Sequence, residues 1–294
     1  MTLGIPGAVS LNPDEPCALC GSTSKRQLSH LVPKFVFQHA STRSPTGYLR
    51  TSFSPNRRSQ DGPKEYLLCR SCEQRFSHWE RRFADLFKEH YETPGRTFDY
   101  SGEHALCALS ILWRVLAHER AHPELNHLTF GTDYTRTDEA FRIWSDVLLG
   151  LTDHPRQFRL NWVWMDYITN GPPEINLYVF HACDFDVWAS EKRSFAVAHL
   201  PGVFLIGALE DSPRASFRGF DVSFKGGRYH TTGTKHAPSW LQRYIEQKMA
   251  ARRKAIEELS PTQKQKILEA AMADPERAMG SPLFRTMSHD YGNR

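Results

Sequence analysis

The sequence predicts an α+β protein: a zinc-stapled, ββα-like module, then a helix-plus-antiparallel-sheet domain, then a helical C-terminal segment. Three observations predict it. Two CxxC pairs, Cys17/Cys20 and Cys69/Cys72, bracket a polar stretch near the start of the chain. Apolar residues then recur at helical spacing up to Gly150 and give way to short strand-like runs between Pro and Gly turns. From Pro238 the pattern is helical again. The implied divisions are 14–97, 98–237 and 238–294, sizes that 294 residues allow.

Residues 1–16 read as an irregular lead-in. CALCG is a knuckle with a Gly turn, followed by a short strand over Gln27–Val32 that Pro33 ends. Residues 38–63, rich in Ser, Arg, Pro and Gly, predict a long loop or weak hairpin. From Cys72, the residues Phe76, Trp79, Phe83, Leu86, Phe87 and Tyr91 follow a helical period that should end near Thr93-Pro94-Gly95. Further helices are predicted over 104–121, mostly apolar and so a core helix, and over 138–150. FRLNWVWMDYIT, INLYVFHACDFDVWA, FAVAHL, VFLIGALE and SFRGFDVSF read as about five strands of a predominantly antiparallel sheet packed on those helices. WLQRYIEQKMAARRKAIEEL is the next helix. Ser260 caps another through Ala273, with Pro261 at its first position and Gln263 completing a capping box. The last 20 residues read as loosely attached.

No apolar stretch approaches the roughly 18 residues of a membrane span, and the N-terminus lacks a basic segment followed by an apolar core, so the expected compartment is the cytoplasm. In a reducing compartment, paired CxxC motifs point to a metal, and the four thiolates of Cys17, Cys20, Cys69 and Cys72 match a closed tetrahedral structural Zn2+ site. Disulfides or unrelated pairs are the alternative. Cys107 and Cys183 lie alone in apolar runs and read as small buried hydrophobes. Between Cys17 and Arg96 there are 14 Lys and Arg against 7 Asp and Glu, whereas the whole chain carries only +4. Positive charge is therefore concentrated around the CxxC pairs, the first mark of a nucleic-acid binder.

A knuckle, a strand pair and a helix carrying the second CxxC form a treble-clef arrangement. With SHLVPK at Ser29–Lys34 and LLCRSCE ending at Glu73, it resembles the zinc-stapled HNH (His-Me finger) endonucleases. It is also similar to an uncharacterised bacterial group sharing SHxxPK, QDGxKExLLCxxCExxFSxxE and a following apolar helix with a Trp-Arg pair, here Ser29–Lys34, Gln60–Glu80 and Trp113-Arg114. The HNH resemblance implies that His30 is the general base activating water, beside one Mg2+ or similar ion that stabilises the leaving oxygen. The chain departs from the family at two ligand positions. Ser29 stands where an acidic or His ligand is usual, and Glu73 where His or Asn is usual. A carboxylate suits a hard cation and a hydroxyl does so poorly. Asp61, Gln74 and His78 are further candidates. Two roles are open for His30, a catalytic base or a structural imidazole beside the zinc, including a zinc ligand. Two are open for Glu73, a metal ligand or a carboxylate favoured at a helix start.

Lys25, Arg26, Lys34, Arg57, Arg58, Arg70 and Arg75 are the expected nucleic-acid contacts, with Arg43, Arg50, Arg81 and Arg82 near them; a solvated basic face is the alternative. Lys248, Arg252, Arg253 and Lys254 form a second basic group, either a solvated helix face or a contact for nucleic acid, a protein partner or self-association. Glu80 and Trp79 are read as helix surface and core, His118 and His122 as partners of a helix C-terminal dipole, and His181 and His199 as satisfied core residues. The strand aromatics Trp162, Trp164, Tyr167, Phe180, Phe185 and Trp188 are read as sheet core, and residues 100–240 show no catalytic constellation. Two functions follow: a metal-dependent endonuclease, with bacterial defence against foreign DNA implied by the resemblance, or a non-catalytic zinc module for nucleic-acid or protein recognition.

Overall fold

The computed structural model describes residues 12–52, 54–92, 97–122, 134–190, 193–210, 217, 219–230 and 238–292. Most of the expected lead-in, the expected helix end at Thr93-Pro94-Gly95, and Ser216 and Arg218 of the last expected strand lie outside these residues.

Four short strands, a short helix and a long helix build the first segment. β1 (Arg26–His30) is shorter than the expected strand, and Pro33 does end it, but the chain then enters a helix, α1 (Lys34–Arg43), whose Val36 and Phe37 are buried. The stretch expected as a loop or weak hairpin thus begins as helix. It continues as a true hairpin, β2 (Leu49–Thr51) paired with β3 (Ser54–Ser59). β4 (Lys64–Cys69) returns antiparallel to β1 and runs without a break into α2 (Arg70–Glu92), which starts two residues before the predicted position. Phe76, Trp79, Phe83, Leu86 and Phe87 are all buried on one face of α2, as their spacing requires.

β5 (Phe98–Tyr100) precedes α3 (Gly102–Ala121), on which the remaining elements converge. Its residues from Cys107 to His118 are all buried, because it packs between α2 on one side and the sheet on the other. α4 (Tyr134–Leu149) lies against it, with Trp113 Nε1 donating to Ser145 Oγ at 2.8 Å. β6 (Leu160–Trp164) opens the sheet. The run INLYVFH, expected as strand, is instead a short helix, α5 (Ile175–His181), and the strand begins only at β7 (Asp184–Ser190). A short, mostly apolar run carries no period that separates a buried helix from a buried strand. β8 (Arg193–Leu200) and β9 (Val203–Glu210) complete an antiparallel sheet of order β6-β9-β8-β7. The sheet has four strands among the described residues, not five. From SFRGFDVSF only an isolated bridge from Asp221 to Asn161 reaches it. β10 (Gly227–Tyr229) pairs instead with β5, a pairing that neither segment signals alone.

The C-terminal region is α6 (Ser239–Glu257), α7 (Pro261–Ala273), α8 (Pro275–Gly280) and α9 (Pro282–Gly292). Ser260 caps α7 as expected, accepting from Gln263 N–H. The last residues are not loosely attached. Asp290 of α9 accepts from Leu177 N–H at 3.0 Å, one of the unpaired backbone donors in the first turn of α5, and from the buried Asn176 Nδ2 at 2.7 Å. Buried Thr286 shares its hydroxyl with Tyr167 and His181. Lys248, expected in a basic surface group, is buried against Asp186 at 3.0 Å. The hydrophobic core is continuous from Cys17 to Met249 and so joins all three expected segments.

Glu80 is more than helix surface. Its carboxylate accepts at 2.6 Å from Arg114, whose guanidinium is sealed in the core over the Phe76 ring. Removing the carboxylate strands a buried cation, a change that costs about 3–5 kcal/mol. Glu80→Ala should therefore lower unfolding free energy by about that amount, and Glu80→Gln, which keeps an acceptor, by clearly less. Urea titrations of the variants check this.

Acid should destabilise the fold in a defined window. Burial holds His39 down to about 3 and His90, His181 and His199 to about 4. An unfolded His titrates near about 6.5. Between those values the unfolded chain binds more protons, so stability falls as pH drops through that range. Burial also pushes the Glu119 carboxyl up to about 8, which acts in the opposite sense, but as one group against four. A urea midpoint at about pH 5 equal to or above that at about pH 7 would contradict the assignment.

Candidate metal centre

The knuckle at Cys17–Cys20 is closed by local bonds. Cys17 N–H donates to Ser22 O, and Gly21, at φ +69°, donates to Cys17 O. That left-handed turn suits glycine. β4 holds the knuckle from below: Leu67 O accepts from Ala18 N–H, and Cys69 N–H donates to Cys17 Sγ at 3.2 Å. Arg26, expected as a surface contact, is buried here. Its guanidinium donates to Pro16 O and Tyr66 O and pairs with Glu15, so it braces the knuckle rather than facing solvent.

All four sulfurs of Cys17, Cys20, Cys69 and Cys72 lie within 4.8 Å of one another. Cys20 Sγ and Cys69 Sγ are 3.7 Å apart. Disulfide sulfurs sit at about 2.05 Å, and all six cysteines are free. A tetrahedron with metal–sulfur bonds of about 2.3 Å has edges of about 3.8 Å. The four cysteines could therefore hold a metal such as zinc. The hydrogen bond from Cys72 pulls the Cys17 thiol down to about 4, with backbone amides helping, and the same exchange pushes Cys72 up.

The two candidate catalytic residues are each engaged separately. Ser29 and Glu65 face each other on the inner side of the β1–β4 ladder, both buried. Ser29 Oγ donates to Glu73 Oε2 at 2.6 Å, so strand position 29 and helix position 73 do come together. His30, the next strand residue, turns the other way, as strand geometry requires. Its Nε2 lies 2.5 Å from Asp61 Oδ1, and its ring stacks on Phe37. Asp61 also receives Lys64 Nζ at 2.6 Å and Gly62 N–H at 2.9 Å. Partial burial pushes its carboxyl up, but these hydrogen bonds outweigh that and hold it near about 2. Gly62 is needed for this turn because a Cβ there would lie 1.9 Å from the Phe37 ring. His78 is instead paired with Glu103, and Gln74 is exposed.

Of the expected nucleic-acid contacts, Lys25, Lys34, Arg57, Arg70 and Arg75 are exposed and Arg58 is half-buried over Tyr48. Arg75 also donates to Leu148 O at the end of α4. Of the aromatics expected in the sheet core, Trp162 and Trp164 are buried in β6; Phe180 is buried but belongs to the helix α5, and Tyr167 lies outside the sheet, exposed and stacked on Phe180. No helix among the described residues is long and apolar enough to cross a membrane. Comparison with known protein families, with curated proteins and with solved structures gives no match for this chain.

A second cluster was not expected. His118 and His122 do not serve the C-terminal dipole of α3. Both turn onto the buried carboxylate of Glu65, with His118 Nδ1 at 2.5 Å and His122 Nε2 at 3.1 Å from Oε1. The signal in the sequence was the spacing His118-Glu119-Arg120-Ala121-His122, which puts two imidazoles on one helix face. Its partner Glu65 is 53 residues upstream of His118, a relation visible only in the fold.

Stripping metal with a chelator should release zinc and lower the thermal midpoint by about 10 °C or more, since several kcal/mol at about 2–4 °C each are lost. Cys69→Ser should do the same without chelator. A chelated protein with an unchanged melting curve would show that the four thiols need no ion.

Proposed function

We propose that the chain is a metal-dependent endonuclease of HNH type, with Zn2+ in the four-cysteine site as a structural staple. The observation that carries this reading is the half-buried His30–Asp61 pair at 2.5 Å, one residue from the Ser29–Glu73 hydrogen bond. Ionised Asp61 fixes the proton on Nε2, leaving the Nδ1 lone pair of His30 to take a proton from the attacking water. Glu73 supplies one carboxylate for Mg2+ or a similar ion, and such ions are held by one or two carboxylates together with substrate phosphates. When bound, the ion would stabilise the leaving oxygen. Glu73 alone is a weak ligand set, so the phosphodiester itself must complete it. Lys25, Lys34, Arg57, Arg58, Arg70 and Arg75 are proposed to hold the phosphate backbone, and defence of a bacterial cell against foreign DNA is the proposed setting.

A non-catalytic module that recognises nucleic acid or protein is the second reading. Ser29 favours it, because its hydroxyl occupies Glu73 Oε2 and contributes no charge to a metal. His30 and Glu73 also have separate partners.

Nicking of supercoiled DNA and of structured RNA with Mg2+ or Mn2+ separates the two. The nuclease reading expects His30→Ala to reduce cleavage by about 10²–10⁴-fold, and Glu73→Gln to reduce it strongly. Full activity in His30→Ala removes His30 as the base. Salt-dependent binding with no cleavage under any metal would establish the recognition module, with Arg57→Ala then reducing the salt slope by about 1.

A further inference from the structure

Glu65, His118 and His122 stand apart from both sites above. The ligand atoms of the three residues lie within 4.8 Å of one another, and every residue is buried. Glu65 comes from β4 and both imidazoles from the last turn of α3 and its cap. The carboxylate is used unevenly: Oε1 meets both rings, while Oε2 is sealed from solvent with no hydrogen-bond partner among the described residues. A buried carboxylate oxygen with no partner is costly, so an arrangement that leaves one calls for a further group.

We propose that Glu65, His118 and His122 bind a divalent transition-metal ion of the zinc class in a closed structural site that clips β4 to the end of α3. His118 Nδ1, His122 Nε2 and a Glu65 oxygen supply three donors of the kinds zinc takes, nitrogen and carboxylate oxygen, and the partnerless Oε2 lies beside them to complete the shell as a bidentate carboxylate. The 3.1 Å separation of His122 Nε2 from Oε1 is close to the roughly 3.3 Å edge of a tetrahedron with bonds of about 2.0–2.1 Å. The two rings sit 4.7 Å apart between centroids and converge on the same carboxylate. Phe185 packs its ring edge-on to His118 from β7, closing that side with apolar surface. Each ligand is under 4% exposed, so the ion has no position open to substrate. That sealed setting makes the site structural rather than hydrolytic. Its existence does not depend on the nuclease reading.

Full-length protein stripped of metal and titrated with Zn2+ should bind two equivalents per chain, one at the four cysteines and one here. Glu65→Gln and His122→Ala should each bind one. Titration with Co2+ distinguishes the sites by spectrum: the cysteine site gives intense sulfur-to-metal charge transfer, and the second equivalent adds only weak visible bands. A wild-type stoichiometry of one overturns the proposal, as does a second equivalent that survives in Glu65→Gln. Should either variant fail to fold, X-ray absorption on the fully loaded wild-type protein decides. A shell with nitrogen and oxygen beside sulfur is expected, and an all-sulfur shell overturns the site.

Discussion

The antiparallel ladder between β1 and β4 sets Arg26 against Cys69, Ser29 against Glu65 and His30 against Lys64. A bulge between Gln27 and Leu28 shifts the register part-way along it. Side chains alternate across a strand, so this register decides which groups go inward. Ser29 and Glu65 are turned to the helices, while His30 and Lys64 are turned to the outer side, where Asp61 joins them. Slipping the pairing by one residue would expose Glu65 and bury Lys64. The knuckle, the Ser29–Glu73 bond and the His–Glu–His cluster all depend on this short sheet of two strands.

β4 has a second task, because it passes directly into α2 at Arg70. Cys69 and Cys72 thus lie on either side of a strand–helix junction, and the knuckle is drawn onto that junction by bonds to Leu67 O and from Cys69 N–H. α2 then carries the four-cysteine segment into the main core through Phe76 and Phe83, and the Glu80–Arg114 pair ties it to α3. A small strand pair could not be stable by itself, since too few apolar groups are buried; packing on α2 and α3 supplies what it lacks. This is the physical reason for a core that runs unbroken across the expected segment boundaries.

Buried polar groups follow a common pattern. Arg26, Glu65, Arg114 and Lys248 each meet an opposite or hydrogen-bonding partner from a segment distant in sequence. A sequence pattern marks such residues as surface because they are charged. Only the fold shows that the cost of burying them is offset by a partner. Lys248 and Glu80 carry the same surface signature in the sequence for that reason.

By itself the sequence determined the features whose cause is local. The two-residue gap in each CxxC pair, the helical period from Phe76 to Phe87, the β8 and β9 strands, and the Ser260 cap were all legible, because each depends on residues within a few positions of one another. Tertiary structure decided the rest. INLYVFH is a helix, and Asp290, more than a hundred residues away, caps its first turn. β5 found β10, and the final helices docked where hydrogen bonds, not hydrophobic period, hold them. Glu65 joined His118 and His122 because strand register and helix packing aim their side chains at one point, and no spacing rule reaches across such a separation.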